Sequence, residues 1–354
     1  MKRNGKFGFL FLGAALMMGI SLTLVNGSAR GAAPKGTPFM PKIPLGLDSD
    51  SFYVPPDNPL TKEKIALGRL LFFDKRLSGN GTIACATCHI PALAFTDGQP
   101  VSSGIHHQQG GRSAPMAINR AFSKAQFWDG RAASVEDQAL GPFINPIEHG
   151  FMSHDQMVKK MKGIKGYREE FKEVFGGDIK IEDVGKAIAS FERTLLSGNS
   201  PFDQYESGDE ENAISEAAQR GLELFRNKAR CTKCHSGFNF TDEKFHNLGI
   251  GWDGSMVDLG RYAVTKNEGD IGAFKTPSLR EISRTAPYMH DGRFPNLEAV
   301  VDFYNQGGIK NPHQDPLIIP LNLTPQEKSD LVEFLHTLNG EGWKGIEPPT
   351  EFPM

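Results

Sequence analysis

Cysteine is scarce in this chain of 354 residues: there are four, at positions 85, 88, 231 and 234, in two pairs of identical spacing. A disulfide-stapled scaffold is thereby excluded, because no thiol is left over once those pairs are used. Long apolar runs are missing after residue 25, so no membrane span is expected in the body of the chain. Positive charge is not in excess either. The formal net charge is −3, which argues against a nucleic-acid partner. No methionine lies between Met289 and Met354, which withholds a thioether from that whole segment. The composition is neither that of a disordered chain nor that of a fibrous repeat, and the length suits two ordinary domains.

The first 33 residues stand apart. Lys2, Arg3 and Lys6 precede an apolar stretch from Phe7 to Val25, followed by small residues in which Gly27-Ser28-Ala29 or Gly31-Ala32-Ala33 offers a cleavage site. Residues 1–33 read as a Sec signal peptide for export to the periplasm, or as an anchor if left uncleaved. Cleavage after Ala33 removes Lys2, Arg3, Lys6 and Arg30 and no acid, taking the net charge from −3 to −7.

The four cysteines belong to Cys85-Ala86-Thr87-Cys88-His89 and Cys231-Thr232-Lys233-Cys234-His235. Two thiols three residues apart can bond to both vinyl groups of one haem while the next histidine reaches the iron, so each string is a haem c attachment signature. A structural zinc would need closed tetrahedral ligand sets, and each motif offers two cysteines and one histidine. Both motifs follow one plan. Ala66-Leu67-Gly68-Arg69-Leu70-Leu71-Phe72, behind a Thr61 cap, leads to Cys85, and Gln219-Arg220-Gly221-Leu222-Glu223-Leu224-Phe225 leads to Cys231. A closing amphipathic helix follows in each half, with stripes Val184, Ile188, Phe191, Leu195 and Leu331, Phe334, Leu335, Leu338; Thr324, Pro325 and Glu327 give the second a capping box. This duplication predicts a mainly α fold of two class I-like cytochrome c domains with one covalent haem each. The polar segment 197–216 places the boundary near residue 200, giving domains 34–199 and 200–342 and a surface tail at 343–354.

Four further strings decide between electron carrier and enzyme. Gln126-Phe127-Trp128-Asp129-Gly130-Arg131-Ala132, Asn145-Pro146-Ile147-Glu148, Phe191-Glu192-Arg193-Thr194-Leu195 and Thr285-Ala286-Pro287-Tyr288-Met289-His290-Asp291-Gly292 occur in that order. With them the chain resembles the bacterial dihaem cytochrome c peroxidase and MauG family, from about Leu60 to Leu338. By residue type alone Glu148 is an exposed loop acid, Trp128 a core aromatic and Tyr304 a half-buried aromatic. The resemblance implies more: a peroxidatic N-terminal haem, an electron-transferring C-terminal haem, and His89 and His235 as proximal ligands. It makes Glu148 the acid–base group above the peroxidatic iron and Trp128 the bridge between haems.

The resemblance also implies a calcium ion at Ser113, Thr285 and Pro287, with Ser113 standing where the family has a farther-reaching asparagine. A loop histidine capping the first haem is His106, counted back from Pro115, in a Gly- and Gln-rich segment suited to displacement; the alternative leaves His106 and His107 as solvated loop residues. Tyr304 takes the distal position on the second haem, as in MauG, where peroxidases carry methionine. The implied reaction is reduction of hydrogen peroxide to water with electrons from a small, basic cytochrome or similar donor. The alternative is a MauG-like enzyme that oxidises residues of a partner protein through a bis-ferryl state, and the third reading is a non-enzymatic electron carrier. The oligomeric state is open, a dimer being compatible with the family.

Overall fold

Two glycines determine how the helices cross. The computed structural model describes residues 35–252 and 258–354; the segment read as a signal peptide, 1–33, lies outside the described residues. The Lys62–Phe73 helix, capped by Thr61 accepting from Lys64 N, packs on the Ile181–Glu192 helix. At Gly68 an added Cβ would lie 1.9 Å from Ala187 O and 3.0 Å from Phe191 Cβ. The second half repeats the contact. Its Glu216–Arg226 helix packs on the Pro325–His336 helix, and a Cβ at Gly221 would lie 1.9 Å from Asp330 O and 2.8 Å from Phe334 Cβ. One turn beyond each glycine a phenylalanine enters the core: Phe72 meets Phe191 at 5.2 Å and Phe225 meets Phe334 at 5.0 Å between ring centroids.

Both expected apolar stripes are buried, and the Thr324 capping box forms, with Thr324 N donating to Glu327 Oε2 at 2.7 Å. The chain is mainly helical. Among the described residues the only sheet pairs Phe245–His246 antiparallel with Phe274–Lys275, in the register Phe245 opposite Lys275 and His246 opposite Phe274. No described helix is long and apolar enough to cross a membrane. The buried apolar side chains form two cores, one built on residues 67–195 and the other on residues 202–338, within one compact unit from Pro34 to Met354.

Two stretches depart from their expected character. The polar segment around residue 200 is a packed junction: Ser200 caps the Pro201–Glu206 helix, and Asp203 pairs with Arg280 at 2.5 Å, both side chains about 1 % exposed. Residues 343–354, expected as a surface tail, are mostly exposed but are fastened to the first core by Trp343, Ile346 and Phe352. Trp343 is buried against Phe95, Arg76 donates to Pro353 O at 2.9 Å, and Gly166 N donates to Met354 O at 2.6 Å. Trp343, Ile346 and Phe352 supply apolar surface without any helical period, and this fastens an irregular strap as well as a helix.

The helix crossings leave no room for a methyl group. Gly68→Ala and Gly221→Ala are each expected to lower stability by about 1–3 kcal/mol, the usual range for overpacking. Gly177→Ala, with nothing within 4 Å of the added carbon, should stay within about 0.5 kcal/mol. Urea unfolding of the three variants checks the contrast.

Candidate functional site

Each attachment motif presents its histidine in the same way. Cys85–Cys88 forms one helical turn, and His89 Nδ1 bonds Phe95 O at 3.0 Å; in the second motif His235 Nδ1 bonds Phe240 O at 2.9 Å. Phe95 and Phe240 are both left-handed, with φ of 57° and 51°, an uncommon state for non-glycine residues that aims the two carbonyls alike. Burial lowers the pKa of both imidazoles and so favours the neutral form. With Nδ1 as the donor, Nε2 carries the lone pair, the tautomer a metal-ligating histidine needs. The four cysteines form no disulfide.

Both motifs open on a cavity of about 760 Å³. Its apolar lining includes Met116, Leu279, Val301 and Leu331, and its polar lining includes Glu148, Trp128 and Arg120. Adjacent thiols, a histidine with a free Nε2 and an apolar wall, all present twice, fit one covalently attached haem at each motif.

The cavity walls repeat as the helices do. Gln126-Phe127-Trp128-Asp129-Gly130-Arg131 aligns with Tyr288-Met289-His290-Asp291-Gly292-Arg293, and the bridges Gln126 to Ala132 and Tyr288 to Phe294 are equivalent. Phe127 and Met289 are left-handed in both copies, and so are Gly130 and Gly292. The register extends from Pro115 opposite Pro277 to Pro142 opposite Tyr304, through helices capped by Ser134 and Asn296. Trp128 and His290 occupy equivalent places and meet edge to face, 6.4 Å between centroids. Around them Ser113 N donates to His290 O at 2.7 Å and Lys275 N donates to Trp128 O at 2.8 Å. The Trp128 indole donates to Ser113 O at 2.9 Å. A pseudo-twofold axis therefore passes between Trp128 and His290.

Charged residues lock this seam. Arg112 grips Asp258 with two bonds of 2.8 Å and reaches Asp129 at 2.7 Å, while Arg261 donates to the carbonyls of Asp129 and Gly130. Cys234, Asp242 and His246 also cluster, but His246 already has Asp315 at 2.5 Å and Asp242 at 3.0 Å on its two ring nitrogens. It is an ion-paired anchor beside the second motif.

The expected site residues fare differently. Glu148 lines the cavity on the Asn145–Gly150 loop, where Asn145 Nδ2 donates to its Oε1 at 2.6 Å. Burial raises the Glu148 carboxyl above its ordinary range against the opposing pull of Arg131 and Asn145. Tyr304 is half-buried and lines the cavity beside Cys231 and Cys234. Ser113, Thr285 and Pro287 line the same cavity. His106 is not brought there. It and His107 are exposed and left-handed, on a loop fastened by Ile105 N to the carbonyls of Ile147 and Glu148 at 2.9 and 3.1 Å. The backbone turn bonds that fix the loop, Gly104 N to Gln108 O and Gln108 N to Ile105 O, leave both imidazoles exposed. Arg112, Arg120, Pro142 and Glu192 carry no role in the sequence reading, although the Asp-Gly-Arg repeat gives the register that aligns the first three across the halves and the crossing glycines give that of Glu192.

The family model for di-haem cytochrome c peroxidase matches residues 62–211. The methylamine utilization protein MauG of Methylorubrum extorquens (strain ATCC 14718 / DSM 1338 / JCM 2805 / NCIMB 9133 / AM1) is 44% identical over 289 residues, 81% of this chain and 81% of that protein. Cytochrome-c peroxidase IdrP1 of Pseudomonas sp. (strain SCT) is 38% identical over 317 residues, covering 81% and 83% of the two chains. Among solved structures, a MauG-like protein associated with microbial copper homeostasis superposes with a TM-score of 0.75 at 35% identity, over 86% of this chain and 95% of the other. The chain belongs to the family of di-haem cytochrome c peroxidases and MauG proteins.

Proposed function

We propose that the chain is an exported peroxidase that reduces hydrogen peroxide to two waters at the first motif. Electrons enter through the second motif from a cytochrome c or similar small redox protein. One haem c in each of the regions 34–199 and 200–342, two class I-like cytochrome c domains, and a periplasmic location belong to the same reading. The observation that carries it is the alignment of Pro142 with Tyr304. Proline offers no ligand atom, so the first half has an open position where the second half presents a phenol.

A haem bound through Cys85, Cys88 and His89 supplies the redox chemistry that breaks the O–O bond. Glu148 moves the proton. Its raised pKa lets the carboxyl hold and release a proton closer to neutrality, and Asn145 fixes Oε1 while Oε2 has no protein partner among the described residues. Glu148 takes the proton from the near peroxide oxygen and delivers it to the far one, so that the departing oxygen leaves as water. Trp128 carries electrons across the seam, its ring held by the bond to Ser113 O and the contact with His290. The calcium ion assigned to Ser113, Thr285 and Pro287 would meet neutral oxygen donors, a set that water completes for a hard cation.

Tyr304 favours a second reading, an enzyme that oxidises residues of a partner protein as a MauG-like catalyst. A phenolate is an anionic ligand that favours the oxidised metal, whereas a thioether favours the reduced one. In either reading Glu148→Gln should keep both haems and the fold while peroxide turnover falls by about two or more orders of magnitude. Stopped-flow turnover with a reduced small cytochrome makes the measurement, and near-wild-type turnover would remove Glu148 from the mechanism. Tyr304→Met should raise the reduction potential of the second haem with attachment at Cys231 and Cys234 intact. A redox titration that shows no change would reduce Tyr304 to a packed aromatic and withdraw the second reading.

A further inference from the structure

The pseudo-twofold axis gives cavity residues counterparts in the opposite half, and two of these pairings set a charged residue against an apolar one. Arg120 and Ile282 each open the short turn that follows a left-handed residue, Asn119 in one copy and Glu281 in the other. Glu192 and Leu335 each follow the phenylalanine that the crossing glycine touches, Phe191 and Phe334. All four residues line the cavity. The first half therefore carries an arginine and a carboxyl group where the second half is apolar.

Neither group is satisfied by the protein. Arg120 donates from Nε to Gln126 Oε1 at 2.8 Å and from one terminal nitrogen to Ala125 O at 3.3 Å. A guanidinium has five N–H donors, so most of its donor capacity remains, and no carboxylate forms an ion pair with it among the described residues. Nearby Lys275, by contrast, has Glu243 at 2.7 Å. Glu192 is 6 % exposed, and its carboxyl has no hydrogen-bond partner among the described residues. The charged groups that face it are Arg120, Arg193 and Glu136, and the last two are bound to each other at 2.6 and 3.0 Å. Burial pushes the Glu192 carboxyl up to about 8, which keeps it protonated at neutral pH.

One ligand chemistry completes both groups. A carboxylate pairs with a guanidinium and accepts the O–H of a neutral carboxyl, and haem c carries carboxylate groups of its own. We propose that Arg120 and Glu192 clamp a carboxylate of the haem attached at Cys85 and Cys88, Arg120 as counter-ion and Glu192 as O–H donor. The second half, with Ile282 and Leu335, has no such clamp. The proposal rests on haem attachment at the first motif and not on the reaction there. The two residues act through the haem's charge, so they are positioning residues, and the clamp holds the first haem at a higher potential than an uncompensated carboxylate would allow.

The test is potentiometric titration of the two-haem protein, following each haem separately by its optical spectrum, with mass spectrometry confirming two haems in every variant. Arg120→Ile and Glu192→Leu, which install the residues of the second half, should lower the potential of the first haem and leave the second unchanged. Glu192→Gln keeps an N–H donor and should match the wild type. If Arg120→Ile does not mature, Arg120→Gln removes the charge with less loss of hydrogen bonding and should give the same fall. No shift in the first haem, or an equal shift in both, overturns the clamp. So does a rise in Glu192→Gln, the mark of a lost anion. The Glu148→Gln turnover experiment is independent of these outcomes, so the clamp can fail while the peroxidase reading stands.

Discussion

Two reciprocal backbone hydrogen bonds, from Ser113 N to His290 O and from Lys275 N to Trp128 O, set the geometry on which the site depends. Buried amides and carbonyls must be paired, and here each half satisfies the other at equivalent residues. The pairing brings the Trp128 and His290 rings together and turns both attachment motifs toward one cavity. Arg112, Asp129, Asp258 and Arg261 close the seam with charge-assisted bonds, while the glycine crossings hold the helices behind each motif.

Within that near-symmetry, function follows from the places where the halves differ. His89 and His235 are held alike, through Phe95 O and Phe240 O, so the two imidazoles do not distinguish the motifs. Other residues that line the cavity do. Pro142 occupies the place of Tyr304 in the repeat, and the loop that follows it carries a partly buried acid, Glu148, braced by Asn145.

Much of this was legible in the sequence. The two attachment motifs, the Gly68/Phe72 and Gly221/Phe225 spacing and the Thr324 capping box are local features whose residue types dictate their geometry, and the structure contains each of them. The Asp-Gly-Arg repeat was present too, but its identities are sparse, and its meaning depends on left-handed backbone at Phe127 and Met289 that side-chain type does not announce. Polar composition around residue 200 suggested a linker because composition cannot report that Asp203 is the counter-ion of a wholly buried arginine. The strap from Trp343 to Met354 lacks periodicity and is mostly exposed, but absence of period does not announce that Trp343, Ile346 and Phe352 pack on the first core. Spacing found His106 but could not say which way it points.

If the two haem sites are unequal as proposed, the one held by Cys85, Cys88 and His89 should accept an added ligand and the other should not. The electron paramagnetic resonance spectrum of the fully oxidised protein, recorded as azide is added to the wild type and to Glu148→Gln, tests this most directly. The account predicts that one iron of the two takes azide and that its signal is the one altered by Glu148→Gln. Azide at both irons, or at an iron whose signal is indifferent to Glu148, would contradict it.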